Sequence, residues 1–294
     1  MELNRVLTAQ SMRELESMEF DRAKFSWLPA KILSYYFNVR YLTFYDHCQL
    51  LHASLAWLAT YLRGIRKPLE SYLKSDMLVK TWDDFLFIAR AGTPDLYTIA
   101  VAERFEIENW FKPLARGTIV DVGAYIGTYT VRGMRSADVV IAIEPLPLNF
   151  RALKKNVELN TSAKRGKVIL MNKAIADKKK DVYIFVPIEH CYIGASAARA
   201  STTPKGEYLS YIVEADTLDN ILDDLGIESV NLLKIDIEGQ VLECLPGMMT
   251  TLKRTRWLFI ELLGRDILCV DTLRKIGFRI KAQHGTNFLF ENEA

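Results

Sequence analysis

Short apolar runs alternate with amphipathic segments over most of the chain after residue 75. The runs are TIVDV (118–122), VVIAI (139–143), VILM (168–171), VNLLKID (230–236), WLFIE (257–261), FRIKA (278–282) and NFLFE (287–291). The segments between them with helical periodicity are PLNFRALKKNVELN (147–160), DTLDNILDDLG (216–226) and DILCVDTLRKIG (266–277). Buried strands that alternate with helices are typical of a parallel sheet covered on both faces.

This alternation predicts an α/β fold for a domain over residues 76–294, with a doubly wound, mostly parallel, seven-stranded Rossmann-like sheet. The last two runs are joined by the short link QHGT (283–286), which predicts an antiparallel hairpin at the end of the sheet.

Residues 1–75 show a different pattern, rich in leucine and aromatic residues and without strand-like alternation. We interpret this region as an N-terminal extension made of several helices. Leucines recur at helical spacing at positions 51, 55, 58 and 62, with Trp57 and Tyr61 beside them. The extension is interpreted as a cap that buries this stripe on the main domain, with a subunit interface, an acceptor-binding element and a membrane-surface helix as alternatives. Arg63, Arg66 and Lys67 follow the stripe and keep the membrane alternative open.

Composition narrows the class of protein. The chain has 294 residues, of which 50% are hydrophobic and 25% charged, with a net charge of +2, as in ordinary soluble globular proteins. A nucleic-acid partner is not expected, since no basic face is indicated. The four cysteines are far apart in the sequence, which favours neither a zinc site nor a disulfide framework and suggests a cytoplasmic protein. The apolar run over residues 50–62, interrupted by His52, is too short to span a membrane.

The stretch DVGAYIG (121–127) follows the first strand of the alternation and precedes a helical segment. Glycines at this point let the backbone approach a ligand, and a helix N-terminus adds N–H donors. Glu144 ends the next strand, where an acid can accept hydrogen bonds from both hydroxyls of a ribose.

Two features of the turn disfavour a dinucleotide. The spacing is DxGxxxG where a dinucleotide fingerprint has GxGxxG, and Asp121 would repel a pyrophosphate. A nucleoside that carries a ribose and a positive sulfonium group but no phosphate fits this acidic site better. The sequence therefore predicts S-adenosylmethionine as the cofactor.

The ordered set of motifs resembles the FkbM family of S-adenosylmethionine-dependent methyltransferases. The resemblance covers about three-quarters of the chain. The motifs that carry it are RAGTPDLYTIAVAERFEIENWFKPL (90–114), DVGAYIGTYT (121–130), AIEP (142–145), MNKAIAD (171–177), GASA (194–197), DTLD (216–219) and LLKIDIEG (232–239). It implies that the methionine half of the cofactor is lined by Asp121, Gly123, Ala124, Tyr125 and Gly127. It also implies that Glu144 holds the ribose and that Asn172 and Ala174 flank the adenine.

The strand LLKIDIEG supplies the candidate catalytic residues. Alternation along a strand puts Lys234, Asp236 and Glu238 on one face. Asp236 and Glu238 are candidates for the base that removes a proton from the acceptor, whereas a Lys234–Glu238 ion pair is the structural alternative. His190 is a further candidate base, because its side chain titrates near neutral pH. Glu261 extends the acidic set, which could bind a divalent metal, although no metal site is required by the spacing.

These observations predict a methyltransferase that acts on a hydroxyl group of a sugar, a glycolipid or another small metabolite. Two alternatives remain: an RNA methyltransferase, and a binding or scaffold protein that retains the cofactor fold without its chemistry.

Overall fold

A computed structural model of the protein describes residues 35–65, 67–187 and 208–293. The strands are β1 (Val39–Tyr41), β2 (Met77–Thr81), β3 (Leu86–Ala89), β4 (Thr118–Val122), β5 (Val139–Ile143), β6 (Lys167–Met171), β7 (Ala174–Ile175), β8 (Lys180–Pro187), β9 (Tyr208–Asp216), β10 (Val230–Ile235), β11 (Thr255–Glu261), β12 (Phe278–His284) and β13 (Asn287–Asn292).

The α-helices outside residues 95–114 are α1 (Phe44–Leu62), α2 (Thr128–Gly133), α3 (Pro147–Leu159), α4 (Leu218–Asp224), α5 (Val241–Cys244), α6 (Met249–Lys253) and α7 (Cys269–Lys275). Before β4, the α-helical turns Asp95–Tyr97, Arg104–Glu106 and Lys112–Leu114 alternate with the π-helical turns Thr98–Ala102 and Ile107–Phe111. We call this stretch the segmented helix. Short 3₁₀ turns lie at Leu69–Tyr72, Thr161–Ala163, Leu245–Met248 and Gly264–Leu268.

The central sheet has seven strands within the described residues, in the order β12-β13-β11-β10-β4-β5-β6. Neighbouring strands from β6 to β11 are parallel, and β13 is antiparallel to both β11 and β12. The sequence prediction of a mostly parallel seven-stranded sheet with a terminal hairpin is therefore confirmed. Strands β4 and β5 match their predicted bounds because each is a short run of buried β-branched and apolar residues.

The strand order reverses at β4, which has β5 on one side and β10 on the other. The chain leaves β4 toward β5 and β6 and later returns to β10. The carboxyl ends of β4 and β10 thus border the crevice where open α/β sheets bind ligands. Their register pairs Asp121 with Lys234, which brings two charged residues side by side within the sheet.

The largest apolar core covers one face of the central sheet. Strands β4, β5, β10 and β11 contribute side chains that are buried almost completely, and α4 and α7 pack over them. Burying this apolar surface supplies the main driving force for the sheet to form. It also keeps the strand ends, and the side chains on them, in fixed positions.

The N-terminal region contains a strand as well as a helix, which corrects the prediction of helices alone. Strand β1 pairs antiparallel with β2, and β2 pairs with β3, so a small sheet crosses the predicted boundary at residue 75. The period-2 burial of β2 is visible in its sequence, MLVKT, but the short β1 has too few residues to show it.

Helix α1 has defined ends. The Thr43 hydroxyl accepts a hydrogen bond from the backbone N–H of Asp46 at 3.0 Å and donates one to its carboxylate at 2.6 Å. At the other end, Gly64 adopts φ +82° and its N–H donates to the carbonyl of Tyr61. These are the expected start and stop signals for a helix.

The leucine stripe of α1 points away from the protein. Leu50, Ala53 and Trp57 are buried, and they belong to the same apolar cluster as Tyr125 and Ile126 of the glycine turn. The stripe leucines (positions 51, 55, 58 and 62) are 45–76% exposed. The expectation that this stripe caps the domain is wrong, since the helix packs on the domain through its opposite face.

A third sheet, with strand order β7-β9-β8, was not expected from the sequence. Its long strands β8 and β9 are antiparallel, and residues 188–207 between them lie outside the described residues. Alternation in β9 is weak because its first half is largely exposed on both faces.

Asn156 of α3 and Asn160, the residue directly after α3, cover the outer edge of β3. The Asn160 side chain accepts from the N–H of Leu86 at 2.9 Å and donates to the same residue's carbonyl at 2.7 Å. The Asn156 side chain accepts from the N–H of Ile88 and donates to the carbonyl of Ile126, both at 2.9 Å. These amides satisfy backbone groups that would otherwise form an open sheet edge.

We expect Asn156→Ala to lower the free energy of unfolding by about 1–3 kcal/mol, because it leaves a buried N–H and a carbonyl unpaired. Urea denaturation measures this loss. Asn109→Ala is the control, since that amide donates only to Phe105 on the exposed surface. Equal destabilisation by the two variants would contradict the role assigned to Asn156.

Candidate functional site

The glycine turn lies against the end of β10. Gly123 adopts φ +76°, and a Cβ placed there would lie 1.8 Å from the carbonyl oxygen of Asp236. Gly127, at φ +91°, precedes α2, and a Cβ there would lie 2.6 Å from the Leu153 side chain. The sequence predicts glycine for close approach to a ligand. The structure adds a second reason, which is that the turn must pass close to the neighbouring strand end.

Tyr125 is held in the turn by both its backbone and its side chain. It adopts φ +53°, which is unusual for a residue other than glycine. Its N–H donates to the Glu144 carboxylate at 2.9 Å, and its hydroxyl donates to Asp95. Arg90 makes two hydrogen bonds to the same Asp95 carboxylate, at 2.7 and 3.0 Å. These contacts fix the turn before any ligand binds.

Glu144 lies at the end of β5, as the sequence predicts, and is buried. Its carboxylate accepts hydrogen bonds from the N–H groups of Tyr125 and Leu146, both at 2.9 Å, and a longer one from Asn149 at 3.4 Å. Burial raises the pKa of Glu144 to about 7, although these donors act in the opposite direction. A carboxylate has about four acceptor positions, so one remains for a further donor.

Asp121 is fully buried at the end of β4. One carboxylate oxygen accepts from the Thr130 hydroxyl at 2.6 Å. The other, Oδ1, accepts no hydrogen bond from any described residue and lies 3.8 Å from Lys234 Nζ. Burial raises the pKa of Asp121, with Lys234 and Thr130 opposing the rise. A buried acceptor atom that receives no hydrogen bond is suited to bind a cationic N–H donor.

Lys234 is the buried cation of the site. Its Nζ lies 3.3 Å from Asp236 Oδ2 and 4.8 Å from the centre of the Tyr129 ring. Burial by itself lowers the pKa of Lys234, but the carboxylates of Asp236, Asp121 and Glu103 outweigh this effect and raise it. Lys234 therefore stays charged. The predicted common face of Lys234 and Asp236 is confirmed by their contact, and the ion pair forms with Asp236 where the structural alternative had Glu238.

Three carboxylates meet at the ends of β10 and β11. One oxygen from each of Asp236, Glu238 and Glu261 lies within 4.8 Å of the others, and all three side chains are partly exposed. Burial, together with the charge of Asp236, raises the pKa of Glu261 to about 8. Glu261 therefore carries a proton at neutral pH, which reduces the repulsion within the cluster. Glu238 has φ +52°, because the chain turns out of the strand there. Oxygen ligands in this arrangement could also hold a divalent cation.

Sequence reasoning missed two acids of the segmented helix. The carboxylate of Glu103 accepts from the Thr128 hydroxyl at the start of α2, and burial raises its pKa to about 7. The carboxylate of Glu106 lies 2.7 Å from Nδ1 of His284, at the turn between β12 and β13. Both contacts join segments far apart in sequence, so spacing gave no signal for them.

The adenine-side residues have structural contacts of their own. The exposed Asn172 donates to the carbonyls of Glu144 and Pro145, both at 2.8 Å, and so fixes the chain after β5. Ala174 is buried in the core under β8 and β9. Ala124 is buried with its N–H on the carbonyl of Ile143. His190 lies outside the described residues.

The site is thus a group of acidic side chains at the carboxyl ends of β4, β5, β10 and β11. Buried Asp121 and Glu144 suit a ligand that carries a positive charge and hydroxyl groups. The carboxylate cluster beyond Lys234 can hold or accept a proton. The two halves touch where Gly123 meets Asp236.

Comparison with known proteins gives three kinds of match. A family model described as the methyltransferase FkbM domain matches residues 121–280. The hexuronic acid methyltransferase AglP of Haloferax volcanii is 26% identical over 142 residues, which is 48% of this chain and 54% of that protein. This chain thus matches only about half of that relative's length.

Two solved structures are similar at low identity. A SAM-dependent methyltransferase from Agrobacterium tumefaciens has 11% identity and a TM-score of 0.41, with 74% of this chain and 70% of that chain covered. A putative methyltransferase from Streptococcus mutans in complex with SAH has 11% identity and a TM-score of 0.39, with 65% of this chain and 97% of that chain covered.

We expect the free energy of unfolding of the ligand-free protein to fall as the pH rises from about 4.5 to about 8. Unfolded glutamates release their protons near 4.5, whereas folded Glu103 and Glu144 keep theirs to about 7 and Glu261 to about 8. The folded state binds more protons across this window, so it loses stability as the pH rises. Urea denaturation at several pH values measures the slope.

Glu261→Gln should flatten this slope by up to about 1.4 kcal/mol per pH unit, because the amide does not titrate. Glu214→Gln is the control, since Lys173 holds the pKa of that exposed carboxylate below its usual value. A slope that is unchanged in Glu261→Gln would show that Glu261 does not hold the proton.

Proposed function

The chain belongs to the FkbM methyltransferase family, and from this premise we propose that it is an S-adenosylmethionine-dependent O-methyltransferase. The proposed acceptor is a hydroxyl group of a sugar, a glycolipid or another small metabolite. The observation that carries the proposal is the pair of acidic subsites that meet at Gly123. One subsite suits a cationic nucleoside, and the other holds carboxylates that can take a proton from a hydroxyl.

The residues present fit this cofactor. Asp121 Oδ1 is a buried acceptor that can take a hydrogen bond from the cofactor's ammonium group. Glu144 has one acceptor position left for the ribose, and Tyr125, Gly123 and Ala124 would form the wall of the methionine half. When bound, S-adenosylmethionine supplies an electrophilic methyl group on a sulfonium. Gly127, at φ +91°, supplies the left-handed conformation through which the turn leads into α2.

Asp236 is the proposed base. Its carboxylate lies at the end of β10, is partly exposed and has Oδ2 3.3 Å from Lys234 Nζ. Asp236 would accept the proton of the acceptor hydroxyl, so that this oxygen could take the methyl group that S-adenosylmethionine would supply and leave S-adenosylhomocysteine. The protonated Glu261 beside it stabilises the Asp236 carboxylate before transfer. Glu238 is proposed to bind other hydroxyls of the acceptor.

A sugar hydroxyl is the favoured acceptor for two reasons. The carboxylate cluster offers several acceptors at once, which suits a molecule with neighbouring hydroxyl groups. The name of the relative from Haloferax volcanii, a hexuronic acid methyltransferase, points to the same class. Proton transfer to His190 stays an alternative prediction.

Incubation of the protein with S-adenosylmethionine and a panel of sugars, with detection of S-adenosylhomocysteine and of the methylated product by mass spectrometry, tests the proposal. Each active mixture is repeated with a chelator to detect a metal requirement. Cofactor binding without turnover on any hydroxyl acceptor would favour a binding protein. Methylation of an RNA in place of the sugars would show the acceptor class to be wrong.

We expect Asp121→Asn and Glu144→Gln each to weaken S-adenosylmethionine binding. A hydrogen bond to a charged group contributes about 1.5–3 kcal/mol, or about ten- to a hundredfold in affinity. The amides keep the size of the side chains and part of their hydrogen bonding. Isothermal titration calorimetry measures the change. Asp223→Asn, an exposed acid paired with Arg254, is the control, and unchanged affinity in both site variants would remove the cofactor assignment.

We expect Asp236→Asn to lower kcat by about a hundredfold or more, because general base catalysis contributes about that much. Cofactor affinity should change by much less than kcat. Single-turnover rates and titration of the same preparation separate the two effects. A loss confined to cofactor binding would place Asp236 in the cofactor subsite and leave the base unidentified.

A further inference from the structure

The outer face of α1 carries a row of exposed apolar side chains. Phe44, Leu51, Leu55, Leu58 and Leu62 follow one another at spacings of three, four and seven residues and are 45–85% exposed. Phe37, Leu42, Tyr45 and Ile65, near the two ends of the helix, are 44–79% exposed and enlarge the apolar surface. We call these nine residues the α1 face. Apolar surfaces of this kind mark interaction sites in proteins.

The α1 face is not exposed because the helix has turned its core side outward. The opposite side of the helix is already packed, with Leu50, Ala53 and Trp57 buried. Its orientation is fixed by polar contacts, since Gln49 accepts from the N–H groups of Lys74 and Ser75 at 2.8 and 2.7 Å. Trp57 also donates to the carbonyl of Lys67 at 3.0 Å. Rotation of the helix to bury the leucines would break these contacts.

Within residues 35–65 and 67, the exposed charged side chains are basic. Between residues 35 and 67 the sequence contains one acid, Asp46, which is buried and bonded to Thr43 at the start of the helix. Arg40, Arg63 and Lys67 are exposed on the same region. Exposed apolar side chains with basic residues beside them in the sequence are complementary to anionic lipid headgroups over hydrocarbon.

The helix is suited to lie on a membrane and not to cross it. Among the described residues, no helix is both long enough and apolar enough to span a bilayer. A helix with one apolar face and one face bound to the protein can insert its outer side chains into the headgroup boundary.

We propose that the α1 face binds the surface of an anionic membrane, with its leucines and Phe44 in the acyl boundary and Arg63 and Lys67 near the phosphates. A second copy of the chain fits less well. In a twofold contact the α1 face would meet its own copy, and among residues 35–65 and 67 it offers exposed basic residues but no exposed acid to pair with them. The proposal does not depend on the acceptor.

Flotation of the full chain with vesicles tests the proposal. We expect binding to vesicles of phosphatidylcholine with phosphatidylglycerol, weaker binding to phosphatidylcholine alone, and release by salt. The triple variant Leu51→Ser, Leu55→Ser, Leu58→Ser should lose binding. These positions are exposed, so the variant should keep the thermal stability of the parent protein. Arg63→Glu with Lys67→Glu should weaken binding more than about tenfold, given about fivefold per basic residue.

A matched control replaces three exposed apolar residues elsewhere. Leu209→Ser, Ile212→Ser and Leu268→Ser lie at positions that are 40–64% exposed and outside the α1 face. This variant should bind vesicles like the parent protein. Absence of vesicle binding by the parent protein, or equal loss in both triple variants, would overturn the proposal.

Cys48 reports on the face directly, since it is exposed on α1, whereas Cys244 and Cys269 are buried. In a Cys191→Ser background, a fluorophore on Cys48 should shift to shorter wavelength with anionic vesicles and be quenched by a lipid-soluble quencher. Slow labelling without vesicles would show that the chain itself covers the face.

Light scattering tests for a second copy. A dimer that does not bind vesicles, and that the leucine variant dissociates, would assign the face to a second copy. Either result would overturn the proposal.

Discussion

The site depends on one buried cation held between two strands. Lys234 on β10 lies beside Asp121 on β4 and contacts Asp236 at its own strand end. Removing an ammonium group from water is costly unless carboxylates compensate for the lost hydration. The same carboxylates need the ammonium, since Asp121 is fully buried and Asp236 stands beside Glu238 and Glu261. One ammonium group therefore compensates carboxylates on both β4 and β10.

The central sheet could be predicted because each of its strands leaves a recognisable pattern in a short stretch of sequence. Strands β4, β5 and β10 are short apolar runs that are buried on both faces, with Asp121 near the end of β4 and Glu144 directly after β5. The small sheets were missed, since β1 is too short for a period and β9 is half exposed. The apolar face of α1 was misassigned because spacing shows that a stripe exists but not whether it points inward. Glu103 and His284 join the site through long-range contacts that no sequence spacing reveals.

The glycine turn connects the two subsites by direct contact. Gly123 has no room for a Cβ because the carbonyl of Asp236 occupies that space. Tyr125 is tied to Glu144 by its backbone and to Asp95 by its hydroxyl, and Arg90 orients Asp95. The segment around Arg90, between β3 and β4, thus holds the turn in place. Its contribution to the site is rigidity, since these residues bond to the turn and to α3.

The N-terminal sheet depends on the rest of the protein more than the rest of the protein depends on it, because of the asparagine contacts to β3. Strand β3 relies on Asn156 and Asn160 to occupy its outer hydrogen-bonding groups. Without β3, the released amides of α3 would simply turn to water. A separated β1–β3 unit, in contrast, would present bare backbone donors and acceptors that other chains can pair with. The domain that contains α3 therefore protects the edge of the N-terminal sheet from pairing with other chains. Proteolysis between the two would make the N-terminal fragment, and not the other one, prone to aggregation.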